Sequence, residues 1–198
     1  MELSSKDNFL DMFGYPGYLA VLVSHMLKSM SFTTNGSTPS THQKLRSRIT
    51  EEAAGGGERI RVTGWDAVKF GVAEASTYSK VLLVAPSSDE KATFSDEKQL
   101  KKWTDKVTRQ NAKKQLLNLI SALSATAPGG TVFYATRSMS PFENDEVVEK
   151  ALKKSRTEPV AMKISSTIGR ATKYGIQILP NEAPFGPLYV SKLKIQSE

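Results

Sequence analysis

The chain has 198 residues, 39% of them hydrophobic and 24% charged, with a formal net charge of +7. That composition suffices for one sizeable core, so a single domain over residues 1–198 is expected. The absence of cysteine excludes disulfides, thiolate metal sites and cysteine nucleophiles together, and two histidines without paired ligand spacing, His25 and His42, argue against structural zinc.

No run approaches the roughly 18 consecutive apolar residues that a spanning helix needs. The longest candidate, Tyr18 to Val23, is cut off by Ser24 and His25, so no membrane partner is expected. Met1 to Asn8 balances acids and bases and runs straight into apolar sequence, unlike a secretory signal or an Arg-rich transit peptide. The basic excess favours a polyanion such as RNA through counterion release, although the same charge serves solubility equally well.

In chain order, Asn8 to Phe13 reads as a buried strand ending in a glycine/proline turn, Gly14 to Gly17. Leu19, Leu22, Val23, Met26 and Leu27 then recur at helical spacing. Met30 to Thr34 reads as a second strand. Ser37 or Thr38 can cap a helix with Pro39 in its first turn, running to the glycine stop at Gly55 to Gly57. Arg59 to Gly64 alternates as a third strand, and Lys80 to Pro86, almost continuously apolar, reads as a fourth, buried on both faces.

A polar loop, Ser87 to Glu97, leads to a long helix with Leu116, Ile120 and Leu123 as its core stripe. Pro128-Gly129-Gly130 is expected to turn into a fifth strand, Thr131 to Thr136. A helix near Glu143 to Lys154, a strand from Pro159 to Ile164, and a hairpin of Ile176 to Leu179 with Leu188 to Ile195 complete the reading. Strands alternating with helices before a terminal hairpin describe an open α/β sheet whose last strand inserts antiparallel.

Five segments carry a resemblance: Asp11 to Val23, Arg59 to Gly71, Lys80 to Asp89, Gln115 to Val148 and Ile178 to Lys194. In this order the chain resembles the RNA cytosine-5 methyltransferases of the Sun family, most of all the branch acting on mitochondrial ribosomal RNA. The stretch with Pro128-Gly129-Gly130, a strand, and then Pro141, Glu143, Asn144 and Val147-Val148 is its most specific part. The resemblance implies a Rossmann-like class I methyltransferase fold, with a mostly parallel central sheet and an antiparallel terminal hairpin. Family members carry an amino-terminal RNA-binding extension. Here the chain starts almost at the first strand, and that extension is expected to be absent from it.

The family's chemistry rests on two cysteines, because carbon 5 of cytosine is a poor nucleophile until a thiolate adds at carbon 6. At the matching positions stand Ser87 and Arg137, and the aspartate of the first motif is replaced by Val84. Serine has no accessible thiolate-like state and arginine stays protonated. Three losses at one site lead to the expectation of a pseudo-methyltransferase, not an enzyme.

For S-adenosylmethionine, Gly14, Pro16 and Gly17 survive from the family's glycine turn, but its second glycine and lysine have become Tyr18 and Leu19. Asn35-Gly36 stands where an asparagine and an acid are usual, so the ribose ligand is missing. Asp66 matches the aspartate near the adenine, though a lone loop carboxylate is more often a cap. No cofactor is expected, with S-adenosylmethionine as the alternative.

Lys98, Lys101, Lys102, Lys106, Arg109, Lys113 and Lys114 form a basic segment that, with Arg137, is the candidate RNA contact; Trp103 is either a stacking or a packing residue. The resemblance implies ribosomal RNA and ribosomal subunit proteins as partners, a mitochondrial transcription-termination-factor family protein as a further candidate, and the mitochondrial matrix as the setting. The resulting expectation is a catalytically inactive assembly factor for a mitochondrial ribosomal subunit. Two alternatives stay open: an active methyltransferase with a different acceptor atom, and a structural subunit that docks protein alone.

Overall fold

The computed structural model describes residues 1–27, 30–53, 59–90, 101 and 104–197. Its strands are β1 (Asn8–Asp11), β2 (Ser31–Asn35), β3 (Ile60–Thr63), β4 (Tyr78–Val84), β5 (Thr126–Thr136), β6 (Pro159–Met162), β7 (Arg170–Ala171), β8 (Ile176–Ile178) and β9 (Leu188–Ile195). The helices are α1 (Tyr18–Met26), α2 (Pro39–Glu52), α3 (Phe70–Ala73), α4 (Asp105–Ala125) and α5 (Asp145–Lys154). One sheet holds all these strands in the order β3-β2-β1-β4-β5-β9-β8-β7, with β6 also pairing β9. The first five are mutually parallel, and β9 enters antiparallel beside β5, as expected of the terminal hairpin. β4 lies centrally between β1 and β5.

Alternation along each strand sorts side chains into two layers. Val81 and Leu83 of β4, Val132 and Tyr134 of β5 and Leu193 of β9 join Leu119, Leu123, Val147 and Val148 in the larger core under α3, α4 and α5. On the other face Phe9 and Phe32, stacked at 4.9 Å, join Leu45 and Ile49 under α1 and α2. Each such fully buried side chain contributes about 1.5–3 kcal/mol.

β4 departs from the expectation of burial on both faces. Leu82 is only half-buried and Val84 is 40% exposed, because α1 and α2 cover β1 to β3 and extend little beyond them. Several strand ends also shift by one or two residues from the pattern-based reading, and β5 begins five residues earlier, as backbone pairing and not composition fixes them.

Pro128-Gly129-Gly130 does not turn between helix and strand. α4 passes directly into β5 at Thr126, and the triplet lies within β5 as a bulge where the register against β4 jumps from Tyr78↔Thr126 to Lys80↔Thr131. Gly129 has φ +71°, and a side chain at Gly130 would approach Ser79 O to 2.9 Å, so both positions select glycine.

The core stripe of α4 also differs from the one expected. Leu119, Ala122 and Leu123 are fully buried, whereas Leu116 and Ile120 are half-buried at its margin. The polar Thr108 and Gln115 complete the buried face, which an apolar pattern cannot reveal. α2 starts as the capping residues imply: the Thr38 hydroxyl accepts from Thr41 N–H, the Thr41 hydroxyl accepts from Thr38 N–H, and Pro39 occupies the first turn. Among the described residues no helix is long and apolar enough to cross a membrane.

Candidate active site

The carboxyl ends of β1, β2, β4 and β5 open into a crevice of two adjoining clefts, of about 340 Å³ and 550 Å³, which share Phe13, Ser37 and Pro86 as walls. Volumes of this size suit a nucleoside-sized ligand. A crevice at this edge is where an open α/β sheet binds ligands.

Asn35, fully buried at the end of β2, holds the crevice floor together. Its amide donates to Met12 O (3.2 Å) and Trp65 O (2.9 Å), while its carbonyl accepts from Trp65 N–H and the Thr63 hydroxyl, both at 2.8 Å. One side chain thus ties together the segments leaving β1, β2 and β3.

The glycine turn packs on that floor. Gly14 N–H donates to Asn35 O at 3.0 Å, and a Cβ on Gly14 would lie 1.8 Å from Thr34 Oγ1. Gly17, at φ +103°, caps α1. Tyr18, in the place of the family's second glycine, is 67% exposed with its ring beneath the Arg48 guanidinium at 4.4 Å, and Leu19 packs toward the α1/α2 core. Neither residue lines the clefts, so these two substitutions leave the crevice open.

At Gly36 the missing acid has a steric cause. A Cβ there would lie 2.5 Å from His42 N, inside the first turn of α2. The Ser37 hydroxyl instead faces both clefts and makes no hydrogen bond to another described residue. Asp66 is a cap residue, its carboxylate accepting from Val68 N–H at 3.2 Å, and it also lines the larger cleft.

Val84, Ser87 and Arg137 do converge, on the wall of the smaller cleft with Phe13, Tyr15 and Asp89. Arg137 N–H donates to Ser87 Oγ at 3.0 Å, and the half-exposed guanidinium lies 3.3 Å from Asp89. Beneath them is a network that the sequence reading did not assign. Glu90, 5% exposed, accepts from the Ser88 and Ser138 hydroxyls (2.5 and 2.8 Å) and from Met139 N–H (2.9 Å). Glu143, fully buried, accepts from Ser88 N–H (3.2 Å) and the Gln115 amide (2.6 Å), and burial pushes its carboxyl above the ordinary range. Glu143 and Asn144 belonged to the most specific motif, which was the available signal; nothing in the spacing marks Glu90.

The basic segment divides. Lys98, Lys102 and Trp103 lie outside the described residues, and Lys101 is exposed. Lys114 lines the larger cleft, whereas Arg109 and Lys113 turn to a groove against α5, where the Arg109 guanidinium lies 3.9 Å over the Phe142 ring. Lys106 is exposed on the same helix.

Asp11 was missed as a titrating group. It is 4% exposed at the end of β1, and burial pushes its carboxyl up to about 7, against the Phe13 N–H that favours the charged form. With a folded value above the ordinary 3.8, the native state binds the extra proton, so stability falls as pH rises from about 4 to about 7. Asp11→Asn should therefore gain stability over the parent by on the order of 3 kcal/mol between pH 4 and pH 8. Urea titrations of both proteins across that range check this; a pH-independent difference contradicts it.

A parallel sheet in the order β3-β2-β1-β4-β5, extended by an antiparallel β9 and opening at its carboxyl edge under a glycine turn, is the architecture of Rossmann-like methyltransferases. Within that class, the model of the 16S rRNA methyltransferase RsmB/F family matches residues 1–194, and the chain belongs to that family. Similar curated relatives include the 5-cytosine rRNA methyltransferase NSUN4 of Mus musculus, 30% identical over 158 residues, covering 77% of this chain and 41% of the relative. The NSUN4 of Bos taurus is 28% identical over 213 residues, covering 98% and 55%. The chain spans about half the length of these relatives. Among solved structures, NSun6 from Pyrococcus horikoshii with SFG superposes with a TM-score of 0.82 at 19% identity, over 99% of this chain and 50% of that one.

Two expectations are overturned by these findings. The chain is not set apart as a non-enzyme: the family is one of rRNA methyltransferases, and the curated relatives carry the names of enzymes. Nor does the expectation of no cofactor stand, since the archaeal neighbour holds SFG, an analogue of S-adenosylmethionine. Substitutions at Tyr18, Leu19 and Gly36 looked disabling in one dimension, but Tyr18 and Leu19 do not line the crevice, and beside Gly36 the Ser37 side chain does.

Proposed function

We propose that residues 1–198 form one methyltransferase domain that acts on ribosomal RNA, in a mitochondrial ribosome, at an acceptor atom that needs no covalent activation. The observation that carries this reading is the open crevice between Asp66 and Arg137 in a chain without cysteine. Attack through carbon 6 of cytosine needs a thiolate. A ring nitrogen, an exocyclic amine or a ribose hydroxyl brings its own lone pair.

S-adenosylmethionine, when bound, supplies an electrophilic methyl group. The residues fit such a ligand: Asp66 offers an acceptor at one end, the Ser37 hydroxyl, which has no hydrogen-bond partner among the described residues, lies between the clefts, and Phe13 provides a flat wall. The Ser87 hydroxyl, bonded by Arg137 N–H, fixes the facing loops, and the Asp89 carboxylate on the smaller cleft offers an oxygen that can accept a hydrogen bond from the N–H or O–H of an acceptor. Arg137 places a permanent cation at the mouth, suited to an RNA phosphate. Ribosomal subunit proteins, and a protein of the mitochondrial transcription-termination-factor family, remain the proposed partners that the family resemblance implies, with the mitochondrial matrix as the proposed setting.

The decisive test is calorimetric titration with S-adenosylmethionine, followed by transfer of labelled methyl to ribosomal RNA and nucleoside analysis of the product. Binding is expected, with a methylated nucleoside other than 5-methylcytosine. No heat of binding, or 5-methylcytosine as the product, overturns the proposal.

RNA affinity should depend on α4. Replacing Lys106, Arg109 and Lys113 together by glutamate is expected to weaken binding at every sequence. The slope of log affinity against log salt should fall by about 2, since each lost phosphate contact to a single strand removes roughly 0.7. Filter binding between 50 and 200 mM salt, as a rough working range, reads both quantities; an unchanged slope assigns these side chains to solvent alone.

A further inference from the structure

We propose that Glu143 is a positioning residue that keeps its proton in the folded domain and, as the neutral acid, clasps the loop after β4 to the loop before α5, so that one buried proton holds the crevice wall. Glu143 is fully buried, and its carboxyl reaches that wall from beneath. Oε2 accepts from Ser88 N–H at 3.2 Å and from the Gln115 amide at 2.6 Å, and the same amide donates to Pro86 O at 2.9 Å. Pro86 is shared by both clefts, and Ser87 and Asp89 line the smaller one with Arg137. The Tyr134 hydroxyl donates to Glu143 O at 2.6 Å, which anchors the clasp on β5.

The hydrogen bonds locate the proton. Glu90 has donors on both oxygens, the Ser88 and Ser138 hydroxyls on one and Met139 N–H on the other. Glu143 has two donors on Oε2 and none on Oε1, and Gln115 Oε1 is likewise buried without a donor among the described residues. Buried acceptors without partners are costly, so these two touching side chains are short of a hydrogen. The Gln115 amide has none left, because its N–H groups serve Pro86 O and Glu143 Oε2. A carboxylate has none to give, whereas the acid carries one on Oε1.

Charge favours the same form. Ser88 joins the two acids, its N–H on Glu143 and its hydroxyl on Glu90, so ionising both sets two negative charges around one residue. Burial raises the Glu143 carboxyl, the Ser88 and Gln115 bonds oppose that, and Glu90 adds to it. Among the described residues no cation pairs with either acid: Arg137 lies 3.3 Å from Asp89, and Arg109 lies 3.9 Å over the Phe142 ring. Burial holds the Tyr134 hydroxyl well above its ordinary range, so it stays neutral. Asp145 turns to the segment between β7 and β8, where it accepts from the Thr172 hydroxyl and from Lys173 and Tyr174 N–H.

The experiment is carbon-13 NMR of the glutamate carboxyls against pH, with Glu143→Gln to assign the Glu143 signal. Glu143 should titrate at least about one unit above the ordinary value near 4.3. Titration at or below that value overturns the proposal. The clasp is read by amide exchange at Ser88. As pH rises through the Glu143 titration, protection of Ser88 N–H should fall about tenfold beyond the intrinsic rise of exchange with pH, the linkage of a one-unit shift. In Glu143→Gln it should stay level, because the amide keeps the shape of the acid and offers Gln115 Oε1 an N–H. Level protection in the parent, or equal loss in both proteins, overturns the clasp. Stability supplies the sign. With the folded value raised, the contribution of the neutral acid is fully present below the ordinary value and is lost as pH rises through the folded one, so Glu143→Gln should gain on the parent over that range. Asp11 is common to both proteins and cancels in the difference. A pH-independent difference in urea titrations contradicts the buried proton. No readout uses S-adenosylmethionine or RNA, so the methyl transfer proposed above can fail without affecting this outcome.

Discussion

Asn35→Ala should lower the stability of the domain by about 4 kcal/mol, since it leaves several buried polar groups unsatisfied at 1–3 kcal/mol each. The groups are Met12 O, Trp65 O, Trp65 N–H and the Thr63 hydroxyl, which lose their partner together at the junction of three strands. At roughly 2–4 °C per kcal/mol for a domain of this size, the melting temperature should drop by about 10 °C. Asn35→Asp should fare no better, because it keeps the two acceptor contacts but turns a buried charge toward two carbonyls. Thr63→Val removes one bond alone and should cost about 1 kcal/mol. If calorimetry finds Asn35→Ala and Thr63→Val equal, the node is not shared among the strands as its geometry implies.

That node marks the boundary of what the residues disclose in one dimension. The alternation of strands with helices and the antiparallel entry of β9 were legible from apolar period and glycine punctuation, and the mostly parallel Rossmann-like sheet was implied by the family resemblance. Convergence of Val84, Ser87 and Arg137 on one cleft was legible too, through matched motifs. The buried polar framework was not. Asn35, Gln115, Glu90 and Glu143 look like surface residues by composition, and only the fold supplies the donors and acceptors that make their burial tolerable. The Pro128-Gly129-Gly130 triplet misled for a related reason. Its glycines serve a bulge within β5, and a turn and a bulge demand the same residue.

The same limit explains the cofactor expectation, and Gly36→Asp tests its correction. Read as a motif, Gly36 is a lost carboxylate, and restoring the acid should improve binding of S-adenosylmethionine. Read in the fold, the Cβ itself is the obstacle: it would lie 2.5 Å from His42 N, 2.6 Å from His42 Cα and 2.7 Å from the Thr41 carbonyl carbon, all backbone that cannot rotate away. Gly36→Ala and Gly36→Asp should therefore be equally damaging, each by about 3 kcal/mol, the upper range for forcing extra atoms into packed structure. Melting curves should place the two variants within a few degrees of each other and well below the parent. A carboxylate one residue later meets no such barrier, because Ser37 is half-buried on the cleft wall just before the Thr38 cap of α2. Ser37→Asp should leave stability nearly unchanged, aided by the helix dipole. It should tighten S-adenosylmethionine by about tenfold, the effect of a charged hydrogen bond near 1.5 kcal/mol. Should Gly36→Asp fold well and bind the ligand better than Ser37→Asp, the first turn of α2 yields in solution, and the loss at position 36 was a loss of chemistry after all.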